Sequence, residues 1–425
     1  MNEITIVDNN RYEITLVTLE KVGLEMNRAM KTKILVFISI VFISVLPGQN
    51  DFPKIYSGDA EKIFSLRTAF LNGELKNDHA IKHLIKQADK LLDMVPLSVV
   101  EKEIAPPSGN KHDYMSLAPY WWPNPQTENG LPYIRKDGEK NPEELKITDD
   151  VYQAKTLRAI KNLSLAYYIT NNSKYSAKAA RLLRIWFLDE KTRMNPNLNY
   201  GQLIRGINEG RGAGIMDVHD YYKIVDAISL LKNSNDWTNA DNDKIKKWFD
   251  EFLNWLRTSK NGIHESKKNN NHGTWYEVQV IAISLFIGNT EFAKEFFTES
   301  IKRRIDIQIK GDGTQPFELV RTKSWHYSAF NLTALNALAT LGEHLGIDLW
   351  NYTNSEGGSM RKALDYILPA ALDEKAWFHQ EIGSINLDEL KPLLLNAERK
   401  FDKDIYSKWI EKLYGNNIDE IENQL

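Results

Sequence analysis

The 425-residue chain has no cysteine, 42% hydrophobic and 26% charged residues, and a formal charge of −3. Disulfides, thiolate metal sites and a cysteine nucleophile are thereby excluded. No global basic field exists to hold nucleic acid or a membrane surface, so a polyanion would have to be met by a local groove.

In chain order, the first feature is an apolar run of 13 residues, Ile34 to Leu46, preceded by Arg28, Lys31 and Lys33 and followed by Pro47, Gly48 and Gln49. That is the outline of a secretory signal peptide. It is shorter than the ~20 residues needed to cross a bilayer, and a chain without cysteine carries no lipobox. Residues 1–50 are therefore expected to be an N-terminal extension with a signal peptide around 26–49, for which Met26 or Met30 is a better-placed start than Met1. The expected location is periplasmic or secreted, with no stable membrane anchor.

From about residue 58 apolar residues recur at helical spacing, with little period-two alternation, so the class is all-α. Helices are predicted over 60–73, 78–94, 174–188, 215–232, 275–287, 291–308, 325–344 and 360–371. Another follows Thr148 and carries Leu157, Ile160, Leu163 and Tyr167, with Asp149 or Asp150 as its N-cap. A further one after Asp241 carries Ile245, Trp248, Phe249, Phe252 and Leu256 and stops near Gly262. No composition break divides 51–425, which reads as a single domain, and periodicity alone does not distinguish a solenoid from a closed ring of hairpins. The long exception is 101–147, rich in proline and carrying Tyr120, Trp121 and Trp122; its aromatics argue for a functional loop rather than disorder.

Three segments could carry chemistry. Asn269 to Tyr276 places amides and His272 at a helix start, where N–H groups and Asn donors suit a carboxylate; the same residues also read as ordinary loop and cap residues. Asp312 to Tyr327 opens on an Asp-Gly turn and contains Arg321, His326 and Tyr327. Tyr327 also begins the apolar stripe Phe330, Ala334, Leu338 and Leu341, as a core aromatic would. Lys111 to Pro123 offers rings that could stack on sugar faces or equally plug a helical hairpin.

Together these segments resemble the alginate lyase family of helical polysaccharide lyases. The resemblance rests on KHDYMSLAPYWWP at 111–123, NPNLNYGQLIRGINEGRGAG at 195–214, NNHGTWY at 270–276 and DGTQPFELVRTKSWHYSAFNL at 312–332. It implies an (α/α) toroid, an incomplete barrel of helical hairpins, whose groove binds an anionic polysaccharide such as alginate or a related polyuronate. It implies a site of Asn271, His272, Arg321 and Tyr327, with His326 competing with Tyr327 for the inward direction. Substrate contacts are expected from Lys111, His112, Tyr114, Tyr120, Trp121, Trp122, Gln202, Arg205, Arg211, Trp275 and His326. Arg205 and Arg211 could equally be ion-pair partners of Glu209 or Asp217. No cofactor and no metal are called for.

The chemistry so implied is β-elimination. The C6 carboxylate of a uronate must be neutralised so that charge can spread onto it, which suits Asn271, His272 and Arg321. A base must take the C5 proton and an acid must protonate the leaving O4. One tyrosine serves both when they share a ring face, as in β-D-mannuronate and β-D-glucuronate. Tyr327 is the expected base, its phenol lowered by Arg321; His272 could act from the opposite face, as guluronate would need. A glycoside hydrolase using Glu318 and Asp312 and a non-enzymatic glycan binder are the competing readings.

Overall fold

The computed structural model describes residues 52–372 and 376–415, together with the strand residues 6–7 and 13–14. The chain divides into two compact units, Met1–Asp51 and Phe52–Leu425. In the first, β1 (Ile6–Val7) pairs antiparallel with β2 (Glu13–Ile14); the expected signal peptide at 26–49 lies outside the described residues. No described helix is long and apolar enough to cross a membrane.

The second unit is mostly helical. In order it contains α1 (Ala60–Leu71), α2 (His79–Leu92), α3 (Asp149–Thr170), α4 (Ser173–Leu183), α5 (Tyr221–Leu230), α6 (Asn239–Thr258) and α7 (Lys260–Ser266). There follow α8 (Asn271–Ile287), α9 (Thr290–Ile301), α10 (Pro316–Leu319), α11 (Ser324–Glu343), α12 (Met360–Ala371), α13 (Lys391–Lys400) and α14 (Lys403–Tyr414).

Burial pattern sorts these helices into layers. In α6 the buried residues Ile245, Trp248, Phe249, Phe252, Leu253 and Leu256 form one stripe, and a capping box between Thr238 and Asp241 starts the helix, as expected of an outer amphipathic helix. In α8 and α11 nearly every position is buried, so these helices lie inside. α3, α5, α8, α11 and α12 pack successively side by side, while α4, α6 and α9 each cover an inner neighbour. The result is the helical-hairpin toroid that the resemblance implied.

Three local expectations are corrected. The N-cap of α3 is Thr148, because Asp149 is drawn inward to accept from Met115 N at 2.9 Å and to pair with Lys102 at 2.9 Å. The helix expected after Asp241 begins at Asn239 and ends at Thr258, and the Ser259 hydroxyl caps a new helix, so Gly262 lies within α7. α8 begins at Asn271, which puts Asn271 and His272 in its first turn.

The 101–147 segment is ordered. β3 (Met115–Leu117) runs parallel to β6 (Tyr200–Leu203), and β4 (Trp121–Trp122) is antiparallel to β5 (Ile134–Arg135). Its root is Lys102, buried, whose ammonium donates to the carbonyls of Val99, Lys111 and Asp113 at 2.6–2.9 Å and pairs with Asp149. Burial lowers the Lys102 pKa and raises that of Asp149 to about 6, each against the pull of its partner. Such a pair fixes where the loop leaves the helices, because either charge left alone would be strongly destabilising.

Candidate active site

The ends of α7 and α10, the starts of α8 and α11, and the two small sheets enclose a cavity of about 490 Å³. Arg135, Arg211, Lys268 and Arg321 line it together with His219, His264, His272 and His326, while Glu265 is its only lining carboxylate among the described residues. A chain of net negative charge thus builds a locally cationic groove. A second cavity of about 430 Å³ shares Pro119, Gln202, Met216 and His219 with the first and adds both cations, Lys140, Arg158, Lys161 and Lys223, and carboxylates, Glu144, Asp150, Asp217 and Asp220.

One wall is the first turn of α8. Asn271 is buried, and its backbone N–H and Nδ2 donate to the two oxygens of Glu318 at 2.6 and 2.7 Å. Burial raises the Glu318 pKa, opposed by those two hydrogen bonds and by the nearby His272 and Arg321. His272 Nδ1 meets Oε1 of Glu265, a fully buried residue of α7. The link between the two helices is pinned by buried Arg304, which pairs with Glu277 at 2.8 Å and donates to the carbonyls of Lys268 and Ser266. Gly273 leaves room for that guanidinium, since a Cβ there would come within 2.5 Å of its Nη1.

The opposite wall holds Arg321 and Tyr327. The guanidinium of Arg321 lies 3.7 Å from the centre of the Tyr327 ring and forks onto Asp137, at 3.1 Å from Nε and 2.9 Å from Nη2. Although burial alone would raise it, the Asp137 carboxyl is held well below the usual carboxylate range by Arg321 and by the Thr322 N–H. The Tyr327 hydroxyl shares a 2.9 Å hydrogen bond with Tyr120. Burial pushes this phenol well above its ordinary value, and Arg321 opposes but does not outweigh it. The expectation that Arg321 lowers the phenol is thus right in direction and is overruled by desolvation. His326 also reaches the cavity, with Nδ1 on Glu389 at 2.8 Å and its ring stacked on Phe330, so it and Tyr327 face inward together.

The third side is Gln202 and Arg211. Gln202 takes a left-handed backbone, φ 48°, which an L residue adopts at a cost. Its side-chain nitrogen donates to Asp217 at 2.8 Å and its oxygen accepts from Arg211 at 2.7 Å. Burial lowers the Arg211 pKa, opposed by Glu265 and Asp217.

Comparison with known proteins places the chain in a family. A family model described as alginate lyase matches residues 98–377. The crystal structure of an alginate lyase from Bacteroides ovatus is 36% identical over 88% of this chain and 100% of that chain, with a TM-score of 0.81. This chain belongs to the alginate lyase family. Alginate lyase A1-III from a Sphingomonas species shares the fold at 16% identity and a TM-score of 0.53, over 83% of this chain and 91% of that one. No curated protein matches. As an alginate lyase family member the protein is a polysaccharide lyase.

The cavity gathers Asn271, His272, Arg321, Tyr327, Tyr120, Trp121, Gln202, Arg211 and His326. Six expected contacts lie elsewhere. Tyr114 is buried with its hydroxyl on Asp217, and Trp275 is buried against Tyr222 and Phe330. Trp122 turns its indole N–H to the Glu139 carbonyl, and His112 is held by the Arg193 carbonyl. Lys111 and Arg205 are exposed and do not line the cavity. Arg211 and Arg205 pair with neither Glu209 nor Asp217, so the ion-pair reading of both falls away among the described residues. The hydrolase pair is not assembled: Glu318 lies behind Asn271, and Asp312 accepts from Thr314 in its turn.

Sequence reasoning missed Arg135, Asp137, Glu265 and Lys268. Asp137 and Glu265 are acceptors reached through space from other elements, and no spacing in the chain marks them. No group of three or more His, Asp or Glu residues among the described ones forms a metal-ligand set.

Proposed function

We propose that this lyase cleaves 1,4-linked uronate polymers by β-elimination, preferring the mannuronate-rich parts of alginate and leaving 4,5-unsaturated uronate ends. The observation that carries this reading is the cationic cavity lined by Tyr327, Arg321 and the Asn271–His272 pair together. The substrate carboxylate is held by His272 with Asn271, where charge builds up as the C5–H bond breaks. Burial favours the neutral Tyr327 phenol; the base is the phenolate formed when that proton is lost beside the Arg321 guanidinium, and it takes the C5 proton. The electron pair left on C5 forms the C4=C5 double bond as the C4–O bond breaks, and the new phenol returns its proton to the departing O4. Arg321 against the ring stabilises the phenolate while Asp137 holds the guanidinium by two hydrogen bonds. Tyr120, Trp121, Gln202, Arg211 and His326 contact the sugars, and the adjoining cavity extends the groove.

Taking and returning the proton on one face suits mannuronate and glucuronate, whose C4–C5 arrangement is the same. The N-terminal segment serves as a signal peptide, which brings the enzyme to an extracellular or periplasmic polymer. The test is ultraviolet absorbance on polymannuronate, polyguluronate and glucuronan. A rise on polymannuronate is expected. A rise on glucuronan alone would transfer the assignment, and reducing ends formed without absorbance would replace it with hydrolysis.

A further inference from the structure

Glu265 is fully buried, its Oε2 has no hydrogen-bond partner, and it pairs with no lysine or arginine among the described residues. Its one bonded partner is His272 Nδ1. A buried carboxylate is expensive unless cations compensate it; Arg211 is near enough to feel this one, but the cation in hydrogen-bond contact is the imidazole once it holds two protons. Gly212 packs closely against Glu265: a Cβ there would stand 2.8 Å from Glu265 Oε2, and 2.9 Å from the Asn261 carbonyl and from His264 Nδ1.

The consequence concerns the nitrogen left over. An ionised carboxylate only accepts, so the His272 Nδ1 proton is committed to Glu265. A neutral ring would then turn the bare lone pair of Nε2 toward an arriving anion, which repels it. Only the doubly protonated ring can donate to Glu265 and to a uronate carboxylate at once. We infer that Glu265 is a positioning residue that holds His272 as an imidazolium, making it the charge that receives the substrate carboxylate. This rests on the lyase reading for the identity of the anion but not for the state of the ring.

Other charges face the ring as well. His264 comes from α7, Lys268 from the α7–α8 link and Arg211 from the segment before α5, while Glu318 and Arg321 come from α10 and the turn after it. The cations among them oppose a further positive charge, and Glu318 is occupied by Asn271. Glu265 is the carboxylate in contact.

The experiment is ¹⁵N spectroscopy of histidine-labelled full-length protein at pH 7, with His272 assigned by His272→Gln. Two protonated ring nitrogens are expected in the wild type and one in Glu265→Gln, with KM for polymannuronate rising about tenfold or more in that variant, in line with loss of an outer partner. A merely structural glutamate would alter folded yield and leave the ring state alone. A neutral His272 in the wild type, with either nitrogen bare, would overturn the inference, as would a ring that stays doubly protonated in Glu265→Gln. If the wild type cleaves no uronate polymer, the lyase reading fails, and the ring state still decides the role of Glu265.

Discussion

The two walls of the cavity are built differently. Asn271 and His272 stand on the first turn of an inner helix, each backed by a buried glutamate from a neighbouring helical segment, so their geometry is set by the helical toroid itself. Arg321 and Tyr327 also come from the helical series, but their partners Asp137 and Tyr120 belong to the long loop. The second wall is complete only when that loop is seated. The loop in turn is tied at its root by Lys102 and Asp149. The toroid thus supplies one wall by itself, and the other depends on an excursion of the chain that a helical fold does not require.

The sharpest way to break the comparison is at the proposed proton-transfer group. Tyr327→Phe should lower kcat by about 10²–10⁴-fold, the range for a proton-transfer group, with the circular dichroism spectrum unchanged; retention of full activity would remove Tyr327 from the reaction. Lys102→Met leaves Asp149 buried without its cation and should cost about 3–5 kcal/mol of stability, read as a lower midpoint in denaturant. Because the Asp149 pKa is already raised to about 6 by burial, the loss should grow as pH rises through and above that value, where the unpaired carboxyl must ionise. Equal destabilisation at pH 5 and pH 8 would contradict it.

Asp137→Asn tests the loop's contribution to the second wall. Loosening Arg321 over Tyr327 should reduce kcat/KM about 10- to 100-fold, a misplacement of roughly an ångström, while the signals of His272 stay unchanged. A change at His272 would show that the walls are coupled rather than separate. The smallest effect is expected far from the cavity, at Asp241, whose carboxyl is held at about 2 by Arg184 and then by Thr238. Asp241→Asn should cost about 1 kcal/mol, as a lost helix cap does, with activity intact. Its stabilisation is present above the ordinary carboxylate value near 4 and is lost as pH falls toward 2, so wild type and variant should converge in acid.

What was legible in the sequence follows the same division. Helix periodicity located most of the helices, because the outer ones carry one apolar stripe and the inner ones long apolar runs. Asn271, His272, Arg321 and Tyr327 were found through motifs in contiguous sequence, and the structure brings them to one cavity. Asp149 as an N-cap failed because a tertiary partner, Lys102, outbids the local helix end. Tyr114 and Trp275 failed because an aromatic within a motif says nothing about which way its ring points, and both pack into the interior. Glu265 was invisible because Ser259 interrupts the helix and swings α7 round beside His272, a direction that no periodicity reports.

The most direct measurement is the ultraviolet progress curve of the mature wild-type protein and Tyr327→Phe on polymannuronate. A rise in absorbance from unsaturated uronate with the wild type, lost in the variant while it still binds the polymer, is the predicted result. Unsaturated product formed equally by the variant, or no product from a folded wild type on any uronate polymer, would contradict the account of Tyr327 as the group that moves the proton.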